Sequence, residues 1–201
     1  MRIGVDFDNT IVCYDSLFHR LAVEQELIPP EVAPRKGEVR DYLRRIGREE
    51  AWTELQGHVY GDRLDEAEPY PGALEFFAAC RAADRPALII SHKTRTPFLG
   101  PAHDLHAAAY RWLEGRGFFR PAGIGLLRES VFFELTKQAK LDRIGGMGCD
   151  LFIDDLPEFL AEPAFPPGVT RLLFDPSGHH DPPAGVLRMS SWAEIAALVL
   201  R

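Results

Sequence analysis

The sequence has few cysteines and no apolar stretch long enough to span a membrane. Its 201 residues include three cysteines, Cys13, Cys80 and Cys149. Their odd number and wide spacing fit neither a disulfide framework nor a zinc knuckle. The longest apolar runs, such as residues 87–90, have the length of a strand, whereas a membrane span needs about 20 residues. An acid at position 6 also leaves no room for the apolar core of a secretory signal. We therefore expect a reduced, cytoplasmic protein without a membrane partner.

Positively charged residues are also fewer than negatively charged ones. Lys and Arg number 23 against 30 Asp and Glu, which gives a net charge of −7. Proteins that bind nucleic acid broadly present a basic face, so no nucleic-acid partner is expected. A small anionic substrate is still compatible with this balance, because a metal ion and a few local cations are enough to bind one phosphate group.

Short apolar runs alternate with helical patterns along most of the chain. This alternation predicts an α/β fold with a mainly parallel sheet. The predicted strands cover residues 3–7, 86–91, 131–135, 149–153 and, as the last strand, 169–174. The predicted helices cover residues 73–83, 103–114 and 139–144, and a closing helix starts at a Ser191 cap, with Glu194 completing a capping box.

Residues 14–68 interrupt this alternation. Their apolar residues recur at helical spacing, as at Leu17 and Leu21 and at Tyr42 and Ile46, and they contain no second apolar strand. We therefore predict an α/β core formed by residues 1–13 and 69–201, with residues 14–68 inserted after the first strand as a small helical cap.

Polar residues suited to phosphate chemistry follow four of the predicted strands. In an open parallel sheet the carboxyl ends of the strands lie at one edge, where ligands bind. Carboxylates that converge there repel one another unless a cation lies between them, and oxygen ligands on a small hard cation indicate Mg²⁺. The residues concerned are Asp6 and Asp8, Ser91, the helix-start lysines Lys137 and Lys140, and Asp154 and Asp155.

Simpler interpretations exist for several of these residues. An aspartate at a strand end more often caps a turn or a helix than performs catalysis, but here the pattern recurs at a second strand end. The pair His179 and His180 lies among glycine and prolines, which predicts an exposed loop. Residues 92–102 either border the phosphate site or form a solvated loop. Four arginines of the insertion either face an anionic substrate or form a solvated helix face: Arg40, Arg44, Arg45 and Arg48.

Four segments in order resemble the motifs of the haloacid dehalogenase (HAD) superfamily of phosphatases. Residues 6–10, Asp-Phe-Asp-Asn-Thr, resemble the first motif, and the apolar run ending in Ser91 resembles the second. Lys140, or alternatively Lys137, fits the third. The fourth motif resembles residues 151–155, Leu-Phe-Ile-Asp-Asp. Each motif is weak alone, but their order across residues 3–155 makes the resemblance specific. It implies a three-layer, doubly wound Rossmann-like core.

The resemblance also implies a role for each matched residue. Asp6 would attack phosphorus and become an aspartyl phosphate, and Asp8 would protonate the leaving alcohol and then activate water. Ser91 and Lys140 would bind the phosphoryl oxygens. The implied Mg²⁺ ligands are Asp6, the backbone carbonyl of Asp8, Asp154 and Asp155. A cap inserted at this place would open and close over the substrate.

The activity implied by this resemblance is Mg²⁺-dependent hydrolysis of a phosphate monoester of a small metabolite. Dehalogenases of the superfamily lack an acid at the position of Asp8, so its presence favours phosphate chemistry. A 5′-nucleotidase-like phosphatase acting on nucleoside monophosphates and a sugar phosphatase are two variants of this activity. A binding module that keeps the fold without catalysis is the alternative from another class, and it would be expected to have lost Asp6 or Asp8.

Overall fold

A six-stranded parallel sheet forms the centre of the chain in the computed structural model, which describes residues 1–200. Its strands are β1 (Ile3–Val5), β4 (Ala87–His92), β5 (Val131–Glu134), β6 (Leu151–Asp154), β7 (Thr170–Phe174) and β8 (Val186–Met189). The strand order is β5-β4-β1-β6-β7-β8, and every neighbouring pair is parallel. A separate two-stranded sheet pairs β2 (Val12–Cys13) with β3 (Glu68–Pro69).

The described residues also form eight α-helices. They are α1 (Asp15–Glu24), α2 (Lys36–Arg45), α3 (Glu49–Tyr60), α4 (Ala73–Ala82), α5 (Leu105–Gly115), α6 (Lys137–Gly146), α7 (Pro157–Leu160) and α8 (Trp192–Val199). None of these helices is long and apolar enough to cross a membrane.

The central strands are apolar because both of their faces are covered. Every residue of β1 and β6 is buried, as is usual for parallel strands with helices on each side. Only glycine fits at position 4 in β1, because a Cβ atom there would lie 2.5 Å from the Phe152 ring. The burial of β1 and β6 fixes the position of the polar residues that follow them.

The chain divides into two compact units. The first contains Met1–Val12, Pro69–Lys93 and the chain from Gly117 onward, and the second contains Cys13–Glu68 and Thr94–Arg116. The second unit therefore includes α5, a helix that lies within the core limits expected from the sequence. One contact that holds α5 in this unit is a hydrogen bond of 2.8 Å from the buried indole Nε1 of Trp112 to the carbonyl of Ala67.

The second unit has its own aromatic core. The rings of Phe18 and Trp52 lie 4.9 Å apart, and those of Tyr14 and Tyr60 lie 5.0 Å apart. These contacts join α1 and its N-cap residue, Tyr14, to α3 at separations typical of packed aromatic pairs. The apolar spacing seen in residues 14–68 thus belongs to helices that pack on one another.

The α/β class and the doubly wound parallel sheet expected from the sequence are confirmed. One strand assignment was wrong, because residues 169–174 are not the last strand. Val186–Met189 adds a further parallel strand at the sheet edge beside β7. The capping box of α8 also differs. Ser191 Oγ accepts from the Glu194 amide, but the Glu194 carboxylate accepts from the amide of Ser190.

Candidate active site

The site lies where the order of the strands reverses. On one side of β1 the sheet continues with β4 and then β5. The next strand in the sequence, β6, lies on the other side of β1, and β7 and β8 follow it outward. The crevice between β1 and β6 is therefore the switch point at which ligands bind in such sheets. Asp6 directly follows β1, and its amide donates to the Ile153 carbonyl at 2.9 Å. Asp154 is the last residue of β6.

A tight turn after β1 separates Asp8 from Asp6. The Phe7 carbonyl accepts hydrogen bonds from the amides of both Ile11 and Val12, at 3.1 Å each. Asn9 takes a left-handed conformation with φ of 57°, which asparagine tolerates better than most residues. Because the strand ends before this turn, the two aspartates do not continue a regular strand.

Lys140 connects the carboxylates of the two central strands. Its Nζ lies 2.6 Å from Asp6 Oδ1 and 2.6 Å from Asp154 Oδ2. All three side chains are almost fully buried. Thr136 caps α6 by accepting from the Ala139 amide at 3.1 Å, and this places Lys140 in the first turn of the helix.

Burial dominates the electrostatics of this group. The pKa of Asp6 is raised to about 7, mainly by burial; Lys140 opposes this rise, and the carboxylates of Asp154 and Asp8 contribute to it. Burial alone would lower the pKa of Lys140. The attraction of Asp154 and Asp6 outweighs this effect, so the pKa of Lys140 lies above its ordinary value. One ammonium group is thus shared between two carboxylates in a water-poor pocket.

The carboxylates of Asp6, Asp154 and Asp155 form a compact oxygen cluster. One oxygen from each lies within 4.8 Å of the others. Asp154 is fixed by the Leu156 amide, which donates to Oδ1 at 2.9 Å. The buried Thr10 hydroxyl lies 3.5 Å from Asp155 Oδ1. Hard oxygen donors at the end of a buried strand fit Mg²⁺, and a single ammonium does not neutralise three carboxylates.

The side chain of Asp8 lies outside this cluster and has a different partner. Lys93 Nζ lies 2.9 Å from each of its carboxylate oxygens. Lys93 is buried, with 4% of its surface exposed, and its ammonium lies 5.4 Å from the centre of the Phe7 ring. From the sequence, Lys93 belongs to a segment that either borders the phosphate site or forms a solvated loop. Its burial depends on the long-range pair with Asp8, for which no local signal exists.

The structure distinguishes the two lysines that were both candidates for the third motif. Lys137 is half exposed and pairs with Glu162 at 3.5 Å, whereas Lys140 contacts Asp6 and Asp154. Ser91 is buried near the end of β4, the neighbour of β1, and is paired in the sheet with Phe133.

The other polar groups singled out from the sequence make contacts of their own. The amides of His179 and His180 donate to the buried carboxylate of Asp175, and both histidines are exposed. In the second unit, Arg44 is exposed and makes two hydrogen bonds with Glu49, at 2.8 and 2.9 Å.

Comparison with solved structures identifies the fold. The chain is similar to a HAD family hydrolase from Deinococcus radiodurans with bound phosphate and sodium (19% identity, 98% of this chain and 94% of the other, TM-score 0.55). It is also similar to the HAD hydrolase YfnB from Bacillus subtilis bound to magnesium (15%, 98% and 97%, 0.59). A third similar structure is a dehalogenase (15%, 100% and 97%, 0.56).

These similarities extend over nearly the whole chain, and the protein therefore has the fold of the HAD hydrolases. The fold that the motif resemblance implied is confirmed. The sequence itself matches no protein-family model and no curated protein.

Proposed function

We propose that the protein is a phosphohydrolase that cleaves a phosphate monoester of a small metabolite through an aspartyl phosphate on Asp6, with Mg²⁺ as cofactor. The main support is the different surroundings of two nearby carboxylates. Asp6 is buried against Lys140 and belongs to the oxygen cluster. Asp8 is held apart by Lys93. Two acids with different partners suit two different roles in one reaction.

The metal would be held by Asp6, Asp154 and Asp155. When bound, it would supply positive charge that offsets the repulsion between the Asp6 carboxylate and an anionic substrate. Lys140 supplies a second positive charge at the same carboxylate, and its contact with Asp154 keeps it there. In a buried site this charge is fixed before the reaction begins.

The first step transfers the phosphoryl group to Asp6. A new bond forms between an Asp6 carboxylate oxygen and phosphorus while the bond from phosphorus to the alcohol oxygen breaks. Asp8, entering this step protonated, gives its proton to the departing oxygen. Lys93 fixes the position of Asp8, because an ammonium can donate to a carboxyl oxygen in either protonation state.

The second step regenerates the enzyme. Asp8, now a carboxylate, takes a proton from a water molecule whose oxygen bonds to phosphorus. The bond between phosphorus and Asp6 breaks, which releases inorganic phosphate and restores both starting groups. Ser91 and Lys140 are the residues we assign to the phosphoryl oxygens in both steps.

Dehalogenation is the competing activity, because the similar structures include dehalogenases. The acid at position 8 favours phosphate transfer, since displacement of halide needs no proton for the leaving group. A protein preparation that cleaves a phosphate ester should therefore release no chloride from a 2-chloroacid.

The test is turnover of p-nitrophenyl phosphate, followed by a panel of phosphorylated metabolites that includes nucleoside monophosphates and sugar phosphates. We expect hydrolysis that requires Mg²⁺, is abolished in Asp6→Asn and survives in Asp142→Asn, a change at an aspartate on the outer surface of α6. Undiminished turnover by a folded Asp6→Asn protein would refute the nucleophile assignment.

A further inference from the structure

A second group of metal-binding side chains lies in the unit that contains α3 and α5. It consists of His58, Asp62 and His103, which each offer one donor atom within 4.8 Å of the other two. All three belong to the second compact unit. They share no residue with the Asp6 cluster, and nothing in the proposed phosphohydrolase mechanism uses them.

The end of α3 brings two of these donors together. His58 lies in its last turn, and its carbonyl accepts from the amides of Gly61 at 3.2 Å and Arg63 at 3.0 Å. This turn folds Asp62 back beside the His58 ring, so that Asp62 Oδ1 lies 3.1 Å from Nδ1.

Gly61 allows the third donor to approach. A Cβ atom at this position would lie 2.8 Å from both Cβ and Cδ2 of His103 and 2.6 Å from the Gly57 carbonyl oxygen. The backbone of His103 is fixed on both sides. Its amide donates to Pro101 at 2.8 Å, and the next residue, Asp104, caps α5 through the Ala107 amide.

Nε2 of His103 makes no ordinary hydrogen bond among the described residues. Nε2 lies 3.2 Å from Asp62 Oδ1, yet the contact is not aligned for hydrogen bonding, and the atom is shielded from solvent without another partner among the described residues. A buried polar atom left in this way is unfavourable. The rings of His58 and His103 are 6.0 Å apart and tilted by 56°, so they do not stack on each other.

We propose that His58, Asp62 and His103 bind a divalent transition metal, with Zn²⁺ as the preferred ion. Two imidazole nitrogens and one carboxylate oxygen form a donor set that suits Zn²⁺ rather than Mg²⁺. Zinc bonds of about 2.0–2.1 Å in tetrahedral geometry place neighbouring donors roughly 3.3 Å apart. The two separations from Asp62, 3.1 and 3.2 Å, agree with that geometry.

The site has three protein donors, which leaves a fourth position for water. The three side chains are partly exposed, with 31%, 44% and 26% of their surfaces accessible, so an ion can enter without unfolding. Once bound, it ties the end of α3 to the segment before α5. Because these segments are distant in sequence, such a metal link stabilises the folded form of this unit.

The test uses the full-length protein with Mg²⁺ in large excess, so that the oxygen cluster formed by Asp6, Asp154 and Asp155 does not compete for zinc. Zn²⁺ affinity is measured by competition with a chromophoric chelator, and Co²⁺ is added as a spectroscopic probe. We expect one Zn²⁺ per chain, a visible tetrahedral Co²⁺ spectrum and a rise in Tm on addition of Zn²⁺. His103→Gln and His58→Gln should each weaken Zn²⁺ binding by 10-fold or more.

His106→Gln is the matched control, because it removes a histidine of α5 outside the cluster, and it should bind Zn²⁺ as the unchanged protein does. The proposal is overturned if the protein binds no Zn²⁺. It is also overturned if His58→Gln and His103→Gln retain full affinity, or if Asp154→Asn abolishes zinc binding. Circular dichroism identifies a variant that fails to fold, and Asp62→Asn then takes its place. Because the two clusters share no residue, loss of zinc binding and loss of phosphatase activity are measured on different variants and are distinguishable.

Discussion

The ammonium of Lys93 lies at the same distance, 2.9 Å, from both carboxylate oxygens of Asp8. This symmetric pair is almost entirely buried on the lysine side. It gives Asp8 an environment that differs from that of Asp6, which contacts Lys140. The proposed division between a nucleophile and a proton donor depends on this difference.

Removal of Lys93 should therefore slow the reaction. In Lys93→Met the carboxyl group of Asp8 loses the contact that orients it, and proton transfer of this kind contributes about 10²–10⁴-fold to rates. We expect kcat for p-nitrophenyl phosphate to fall by about 10-fold or more. Lys137→Met, which removes a half-exposed lysine paired only with Glu162 among the contacts described, is the control and should keep its rate. Equal rates in the two variants would remove Lys93 from the mechanism.

Removal of Lys140 should affect stability as well as activity. Lys140→Met leaves the buried carboxylates of Asp6 and Asp154 without the ammonium they share. Losing one partner of a buried ion pair typically costs about 3–5 kcal/mol. We expect the free energy of unfolding in urea to fall by an amount of this order and activity to be lost. A Lys140→Met protein as stable as Lys137→Met would contradict the described geometry.

The raised pKa of Asp6 should appear in the pH dependence of stability of the metal-free protein. Folded Asp6 keeps its proton up to about pH 7, whereas its ordinary value is 3.8. The folded state thus binds more protons than the unfolded state between these values, so this group lowers stability as pH rises, by up to about 1.4 kcal/mol per pH unit.

Asp6→Asn removes that titration and should be more stable than the unchanged protein in chelator at about pH 8, with the difference shrinking towards about pH 4. Urea unfolding across this range measures the difference directly. Asp181→Asn, at an exposed loop position, should show no such trend. A pH-independent difference for Asp6→Asn would mean that Asp6 does not hold its proton in the folded chain.

A buried indole should support the loop that carries Asp8. Trp192 Nε1 donates to the Thr10 carbonyl at 3.2 Å, and a carbonyl left unpaired costs about 1–3 kcal/mol. We expect Trp192→Phe to lower both stability and kcat. Trp112→Phe is the matched control, because it also replaces a buried indole that donates to a carbonyl. That carbonyl, of Ala67, keeps a second donor in Arg116. That variant should lower stability less and leave kcat unchanged.

The sequence predicted the parts of the site that strand ends determine. A buried parallel strand gives a continuous apolar run in the sequence. The ends of β1 and β6 are therefore predictable, and so are the positions of Asp6 and Asp154 beside them. The sequence favours Lys140 but leaves Lys137 as an alternative, because both residues lie in the first turn of α6; the structure buries Lys140 and leaves Lys137 half exposed.

Other features had no local signal. The edge strand β8 is four residues long and exposes Leu187 and Arg188, so its pattern does not resemble that of a buried strand. Lys93 lies in a polar run, and its burial follows from a contact with a residue 85 positions away. His58 and His103 are likewise distant in the chain, and only folding places them beside Asp62.

The most direct test of the account is to capture the covalent intermediate. The protein is mixed with p-nitrophenyl phosphate and Mg²⁺, quenched in acid within the first turnovers, digested and analysed by mass spectrometry. We predict one added phosphoryl group on the peptide that contains Asp6, absent from Asp6→Asn and removed by hydroxylamine. Steady hydrolysis with no phosphorylated peptide, or with the phosphoryl group on another residue, would contradict the central claim.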